Sequence, residues 1–151
     1  MRVKDIMIEE VVSLKPEDNV RDSLNLLLKK EISGLPVIDK EGKLVGMFTE
    51  KNILDYILPS YIENVGRFIY KENPKAIKRK FGELAKIKIE KMMREDVVTT
   101  TEDTTLCEVA KMMLMYKARR IPVLDKMGKV VGIISRGDVL KALAKEGEIV
   151  Q

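Results

Sequence analysis

The chain has no histidine and no tryptophan, and one cysteine and one glutamine among 151 residues. Without histidine there is no imidazole to act as general base, proton shuttle or metal ligand. Ser-His-Asp and Cys-His catalysis are thereby excluded, and neither a catalytic nor a metal site is expected. A single cysteine, Cys107, rules out an intramolecular disulfide. Its setting, Leu106-Cys107-Glu108-Val109-Ala110, reads as helix, and a packed thiol is expected there rather than a reactive one. No run of about 18 apolar residues occurs, so no membrane span is expected. The opening, MRVKDIMIEE, is charged too early for a secretory signal, which points to a cytoplasmic protein. Scarce glutamine beside abundant Lys, Glu, Ile and Met suits a thermophile.

What the chain has in plenty is repetition. Residues 3–54 slide onto 89–140 without a gap, at an offset of 86, and 14 of the 52 pairs are identical. Met7/Met93, Val11/Val97, Pro36/Pro122, Asp39/Asp125, Gly42/Gly128 and Gly46/Gly132 are among them. A long ungapped match signals tandem structural units.

Each unit reads as strand, helix, strand, strand, helix. Residues 11–14 and 97–100 are short apolar or β-branched runs, expected as strands. Thr105 and Glu108 form a capping box ahead of Val109, Met112, Met113 and Tyr116. Asn19 and Asp22 hold the matching places before Leu24, Leu27 and Leu28. The runs 35–38 with 44–48, and 121–124 with 130–134, flank DKEGK and DKMGK, which is hairpin chemistry. Thr49 and Ser135 are natural N-caps for a closing helix. Glycines 42, 46, 128 and 132 read as turn and packing positions. One such unit of about 50 residues is too small to bury its sheet alone. The expected fold is therefore α/β of the α+β kind: two β-α-β-β-α repeats packed sheet to sheet with pseudo-twofold symmetry, plus a helical linker.

This order, with the patterns GLPVIDKEGKLVGMFTEKNIL and RIPVLDKMGKVVGIISRGDVL, resembles the cystathionine β-synthase (CBS) domain. Two in tandem resemble a CBS pair, or Bateman module, with repeat 1 at residues 1–58, a basic linker at 59–88 and repeat 2 at 89–146. The resemblance implies a regulatory, non-enzymatic module whose clefts bind an adenine nucleotide (AMP, ADP, ATP or an S-adenosyl compound such as S-adenosylmethionine). It also implies a homodimer and a regulated partner protein. No cofactor is required beyond that ligand.

The site residues follow from the same resemblance joined to local chemistry. Ser135, Arg136 and Asp138 open a helix, where free N–H groups and the dipole suit phosphate. The family uses the aspartate matching Asp138 to hold ribose hydroxyls. Arg119 and Arg120 are placed for phosphates, Ile121 and Pro122 for an apolar wall against the base. Val98, Thr99 and Thr100 would line the opposite strand. In repeat 1, Thr49 keeps the hydroxyl, but Asn52 replaces the aspartate and Ser33-Gly34 replaces the arginine pair. Ser13 matches Thr99, Lys51 offers a cation, and Leu35 and Pro36 match the apolar wall. The two clefts are expected to be unequal, with repeat 2 the better equipped for an anion. A ligand-free dimerisation scaffold is the alternative.

From Pro59 to Lys91, nine Lys or Arg face four Glu, a net of +5 in a chain of net +4. Ile77, Phe81, Leu84 and Ala85 make one helical stripe, and Tyr61, Val65, Phe68 and Ile69 make another, divided at Asn73-Pro74. Two amphipathic helices with a solvated basic face are expected. Nucleic-acid binding along KAIKRK is a further alternative, but the patch is short and lacks a recognised motif, so no nucleic-acid partner is expected.

Overall fold

The computed structural model describes residues 1–58 and 74–148. These fall into two compact units. The first takes Met1–Val12, Lys40–Leu44 and the chain from Asp96 onward; the second takes Ser13–Asp39 and the described part of Val45–Glu95.

In the first unit, α1 (Val3–Ile6) is followed, after the second unit's residues, by β3 (Thr100–Thr101) and α5 (Leu106–Tyr116). Then come β4 (Arg120–Leu124), β5 (Val130–Ser135) and α6 (Arg136–Glu146). The sheet order is β3-β4-β5, with β3 parallel and β5 antiparallel to β4. α5 starts where the capping box predicts: the Glu108 N–H donates to Thr105 Oγ at 3.2 Å. The β4–β5 turn uses Gly128 at φ +82, a left-handed conformation that suits glycine. The Asp125 carboxylate accepts from the Met127 and Lys129 N–H groups at 2.8 and 2.9 Å. The core is Val3, Leu106, Val109, Met113, Ile121, Val123, Ile134, Val139 and Ala142.

The second unit holds α2 (Val20–Lys30), β1 (Gly34–Ile38), most of β2 (Leu44–Thr49), α3 (Glu50–Ile57) and α4 (Pro74–Glu83). Two short 3-10 turns, Leu84–Lys86 and Ile89–Lys91, follow. β1 and β2 pair, and Leu14 adds a single parallel bridge to Val37. Pro74 begins α4, where a missing N–H costs nothing. The core runs through Leu14, Val20, Leu27, Leu35, Val37, Phe48, Ile53, Ile57, Leu84 and Ile89.

Each unit is completed by an arm from the start of the other repeat. Val3 is fully buried in the first unit, and its N–H donates to the Thr104 carbonyl at 2.8 Å. Ile8 and Ile133 exchange two backbone hydrogen bonds of 2.9 Å. In the second unit Ile89 plays the part of Val3, donating to the Asp18 carbonyl at 2.7 Å. Met47 and Arg94 exchange two bonds of 2.8 Å. Every pair reappears at the offset of 86. The exchange also explains Gly46 and Gly132. A Cβ at Gly46 would lie 2.6 Å from Met93 Sδ, and one at Gly132 would lie 2.7 Å from Met7 Sδ.

Several expectations are corrected. The strand at 97–100 is reduced to Thr100–Thr101, and that at 11–14 to the one bridge at Leu14. At 11–14 the chain passes from one unit to the other, with residues up to Val12 serving the first and those from Ser13 the second. Cys107 is exposed, because α5 buries Leu106, Val109 and Met113 instead. Tyr116 and Leu28, expected on buried stripes, are 57% and 64% exposed. On the linker stripe Leu84 is buried, but Phe81 and Ala85 face solvent. The stripe of Tyr61, Val65, Phe68 and Ile69 lies outside the described residues. No helix among the described residues is long and apolar enough to cross a membrane.

Candidate functional site

The candidate residues fall into two sets, one in each unit, at matching positions. In the first unit the end of β5 and the start of β4 lie side by side, with Arg120 in register with Ser135. The Arg136 N–H donates to the Arg119 carbonyl at 2.8 Å. Ser135 caps α6, its Oγ accepting the Asp138 N–H at 3.2 Å. This one turn therefore holds Arg119, Arg120, Ser135, Arg136 and Asp138 together. Asp138 is partly buried, and its carboxylate accepts no hydrogen bond and makes no ion pair among the described residues. Arg119 and Arg120 have no acidic partner there either.

Thr100 pairs with Val123 in parallel register; Val98 and Thr99 come just before this strand and lie outside its ladder. Val98 and Thr99 are partly buried. The Thr100 hydroxyl donates to Thr104 Oγ at 2.8 Å, and its backbone belongs to the β3–β4 ladder. Ile121 is fully buried in the core cluster, so its side chain is given to packing; Pro122 occupies the alternate position on β4.

The second unit repeats the frame but not the chemistry. The Glu50 N–H donates to the Ser33 carbonyl at 2.9 Å, as Arg136 does to Arg119. Asn52, however, turns its amide oxygen back onto the helix cap. Its Oδ1 accepts from the Thr49 N–H at 2.9 Å and from the Thr49 hydroxyl at 3.2 Å. Lys51 is tied to Asp55 at 2.9 Å on the same helix, so the cation expected of it is engaged. Ser13 is exposed, while Leu35 and Pro36 are buried, with Leu35 in the core cluster. At Gly34, the counterpart of Arg120, a Cβ would lie 2.9 Å from Thr49 Cγ2 and 3.1 Å from the Phe48 carbonyl. The methyl that distinguishes Thr49 from Ser135 thus fills the space where a side chain at residue 34 would emerge.

One polar cluster escaped the sequence reading. The Tyr56 hydroxyl on α3 donates to the Glu83 carboxylate at the end of α4, and Lys80 Nζ sits 4.6 Å from the Tyr56 ring centre. The hydrogen bond to Glu83, then desolvation, then the negative charge of Glu83 hold the phenol above its ordinary value of 10.0. A pairing 27 residues apart leaves no periodic trace. A groove at the start of α2, lined by Leu14, Glu17, Asp18, Asn19, Asp22, Ser23 and Leu26, was also unforeseen; it contains none of the candidate ligand-binding residues.

The family model for the CBS domain matches residues 3–59 and again 89–145. The chain belongs to the CBS-domain family. It is a CBS pair of the α+β kind. The uncharacterized protein MJ1426 of Methanocaldococcus jannaschii is 33% identical over 160 residues, covering 95% of this chain and 91% of that protein. The CBS-pair protein CBSX2 of Arabidopsis thaliana, solved in complex with AMP, superposes with a TM-score of 0.73 at 29% identity, over 97% of this chain and 98% of that one. The CBS domain pair of protein MJ0100, solved with 5′-methylthioadenosine and S-adenosyl-L-methionine, gives a TM-score of 0.68 at 25% identity, again over 97% and 98%. Other relatives are much longer: the chain spans 23% of the inosine-5′-monophosphate dehydrogenases it matches.

Proposed function

We propose that this CBS pair is a regulatory module that binds an adenine nucleotide or S-adenosyl compound in its first unit. The observation that carries the reading is Asp138. Its carboxylate stands without a partner among the described residues, on the turn that also bears Arg119, Arg120, Ser135 and Arg136. A carboxylate can accept both hydroxyls of a ribose, while the arginines and the α6 N-terminus suit the phosphates. AMP on CBSX2 and the two adenosyl ligands on MJ0100 support an adenine compound as the ligand class. In the second unit Asn52 is bonded to its own cap and Thr49 closes over Gly34, so one equivalent binds, not two. Binding would favour one arrangement of the module over another, and a partner protein would read that shift.

The test is thermal unfolding with AMP, ADP, ATP, GTP and S-adenosylmethionine, beside Asp138→Ala. A ligand at about a hundred times its Kd stabilises by roughly 2.7 kcal/mol. The reading expects a shift with an adenine compound that Asp138→Ala abolishes, at a calorimetric stoichiometry of one. No shift with any of them would favour a ligand-free scaffold.

A homodimer forms part of the same reading. Leu28 and Leu114 are 64% and 76% exposed, and Leu54 and Leu140 are 56% and 68% exposed. These are two pairs at the offset of 86, so both units display the same apolar positions. Sedimentation should give a dimer, and Leu114→Glu with Leu140→Glu should give a monomer.

A further inference from the structure

The outer face of α4 has no place in the nucleotide reading. The helix is held firmly by its inner side. Ile77 packs against the core of the second unit, and Leu84, just after the helix, is 1% exposed. The only acid on α4, Glu83, is partly buried and accepts from Tyr56, while Lys80 lies over the Tyr56 ring. What remains outward is Lys75, Lys78, Arg79, Phe81 and, one turn on, Lys86. None of these four cations has an acidic partner among the described residues. Between Pro74 and Arg94, eight Lys or Arg stand against Glu83 and Glu90. That is +6 in a chain of net +4, so everything else sums to −2. Lys88 and Lys91 are set aside, because the backbone there bonds to the Pro16 and Asp18 carbonyls, on the segment that carries Glu17, Asp18 and Asp22.

We propose that this face of α4 binds single-stranded nucleic acid. The four cations span 12 residues, from Lys75 to Lys86, about 16 Å of chain at helical rise. Phe81, 42% exposed, stands at the edge of this face, one turn from Lys78. Cations that follow a phosphate backbone, with an aromatic ring on which a base stacks, are the two parts of sequence-tolerant single-strand binding. A lipid surface fits less well. An interfacial helix needs a broad free apolar face. Here Ile77 and Leu84 of the stripe pack on the core, which leaves Phe81 as the one large apolar side chain of α4 facing solvent. Duplex keeps its bases stacked out of reach of that ring.

The test is fluorescence anisotropy of the whole chain with a labelled single strand of about 20 nucleotides. Duplex of the same sequence, heparin and phosphatidylserine vesicles serve as comparators. Binding at about 50 mM salt should weaken with a log–log salt slope near −3, as four phosphate contacts predict for a single strand. Lys78→Glu with Arg79→Glu should roughly halve that slope. Phe81→Ala should weaken the single strand roughly tenfold by loss of stacking and leave heparin unchanged. Both variants change solvent-facing groups, so melting temperature and adenine-ligand shifts should persist, which separates failure here from failure of the nucleotide reading. Three results would overturn the proposal: no single-strand binding at low salt, equal affinity for duplex and heparin with Phe81→Ala silent, or preference for the vesicles.

Discussion

Gly46 and Gly132 allow the arm exchange to be tested by adding one methyl group at a time. Neither glycine has a left-handed φ, so alanine is excluded by space and not by conformation. At Gly132 the new Cβ would meet Met7 Sδ at 2.7 Å, Met7 Cγ at 3.0 Å and the Ile8 carbonyl at 3.1 Å. At Gly46 it would meet Met93 Sδ at 2.6 Å and the Arg94 carbonyl at 2.8 Å. Ordinary carbon contacts begin at about 3.5 Å, so both sites are overfilled. Met7 can swing aside at modest cost, whereas the Arg94 carbonyl is backbone, held by the Met47 N–H at 2.8 Å. Overpacking costs about 1–3 kcal/mol, and a stretched backbone bond adds about 1. Gly132→Ala is therefore expected to cost about 1.5 kcal/mol and Gly46→Ala about 3. At this chain length that corresponds to melting shifts of roughly 3–6 °C and 6–12 °C. Urea denaturation of single and double variants measures the coupling. Met7→Ala should offset much of the cost of Gly132→Ala, while Met93→Ala should offset little of that of Gly46→Ala. Alanine variants that melt at or above the parent, or costs indifferent to both methionines, would refute the reasoning.

Tyr56 has a pKa raised above 10.0, so its neutral form is favoured by folding. The stabilisation it gives is whole below pH 10 and is lost as pH rises through the folded value. The stability gap between parent and Tyr56→Phe, followed by chemical denaturation, should be flat below pH 10 and shrink above it. The second unit can be given the chemistry of the first by Ser33→Arg, Gly34→Arg and Asn52→Asp. Calorimetry should find a second nucleotide equivalent only when Thr49→Ser is added, because the Thr49 methyl fills the space at residue 34. Thr105→Ala removes the acceptor for the Glu108 N–H and should cost about 1 kcal/mol by thermal unfolding.

Features written in local chemistry were legible in the sequence. The Thr105 and Ser135 caps and the Gly42 and Gly128 turns, at φ +84 and +82, stand where their residue types put them. The offset of 86 returns unchanged in the backbone hydrogen bonds. What the offset could not say is which copy each arm completes: Val3 and Ile89 match in sequence whether they serve their own repeat or the other. The pairing of Met7 with Gly132 left a signal, since both members recur as Met93 and Gly46. The candidate site divides along the same line. That Asp138 and Asn52 differ is plain from composition. That Asn52 is bound to its own cap, and that Lys51 is taken by Asp55, depends on side-chain direction, which residue identity does not specify.

The arms give the duplication a further meaning. Each repeat carries one arm and one slot, and its own arm does not enter its own slot. A lone repeat is thus incomplete yet self-complementary: two copies satisfy one another by trading arms, with Ile89 and Met93 standing in for Val3 and Met7. Joining two repeats in one polypeptide turns that trade from a bimolecular reaction into an intramolecular one. It also sets an order on synthesis. Everything the second unit needs has been made by residue 95, whereas residues 1–12 must wait for β5, more than a hundred residues later, before their slot exists.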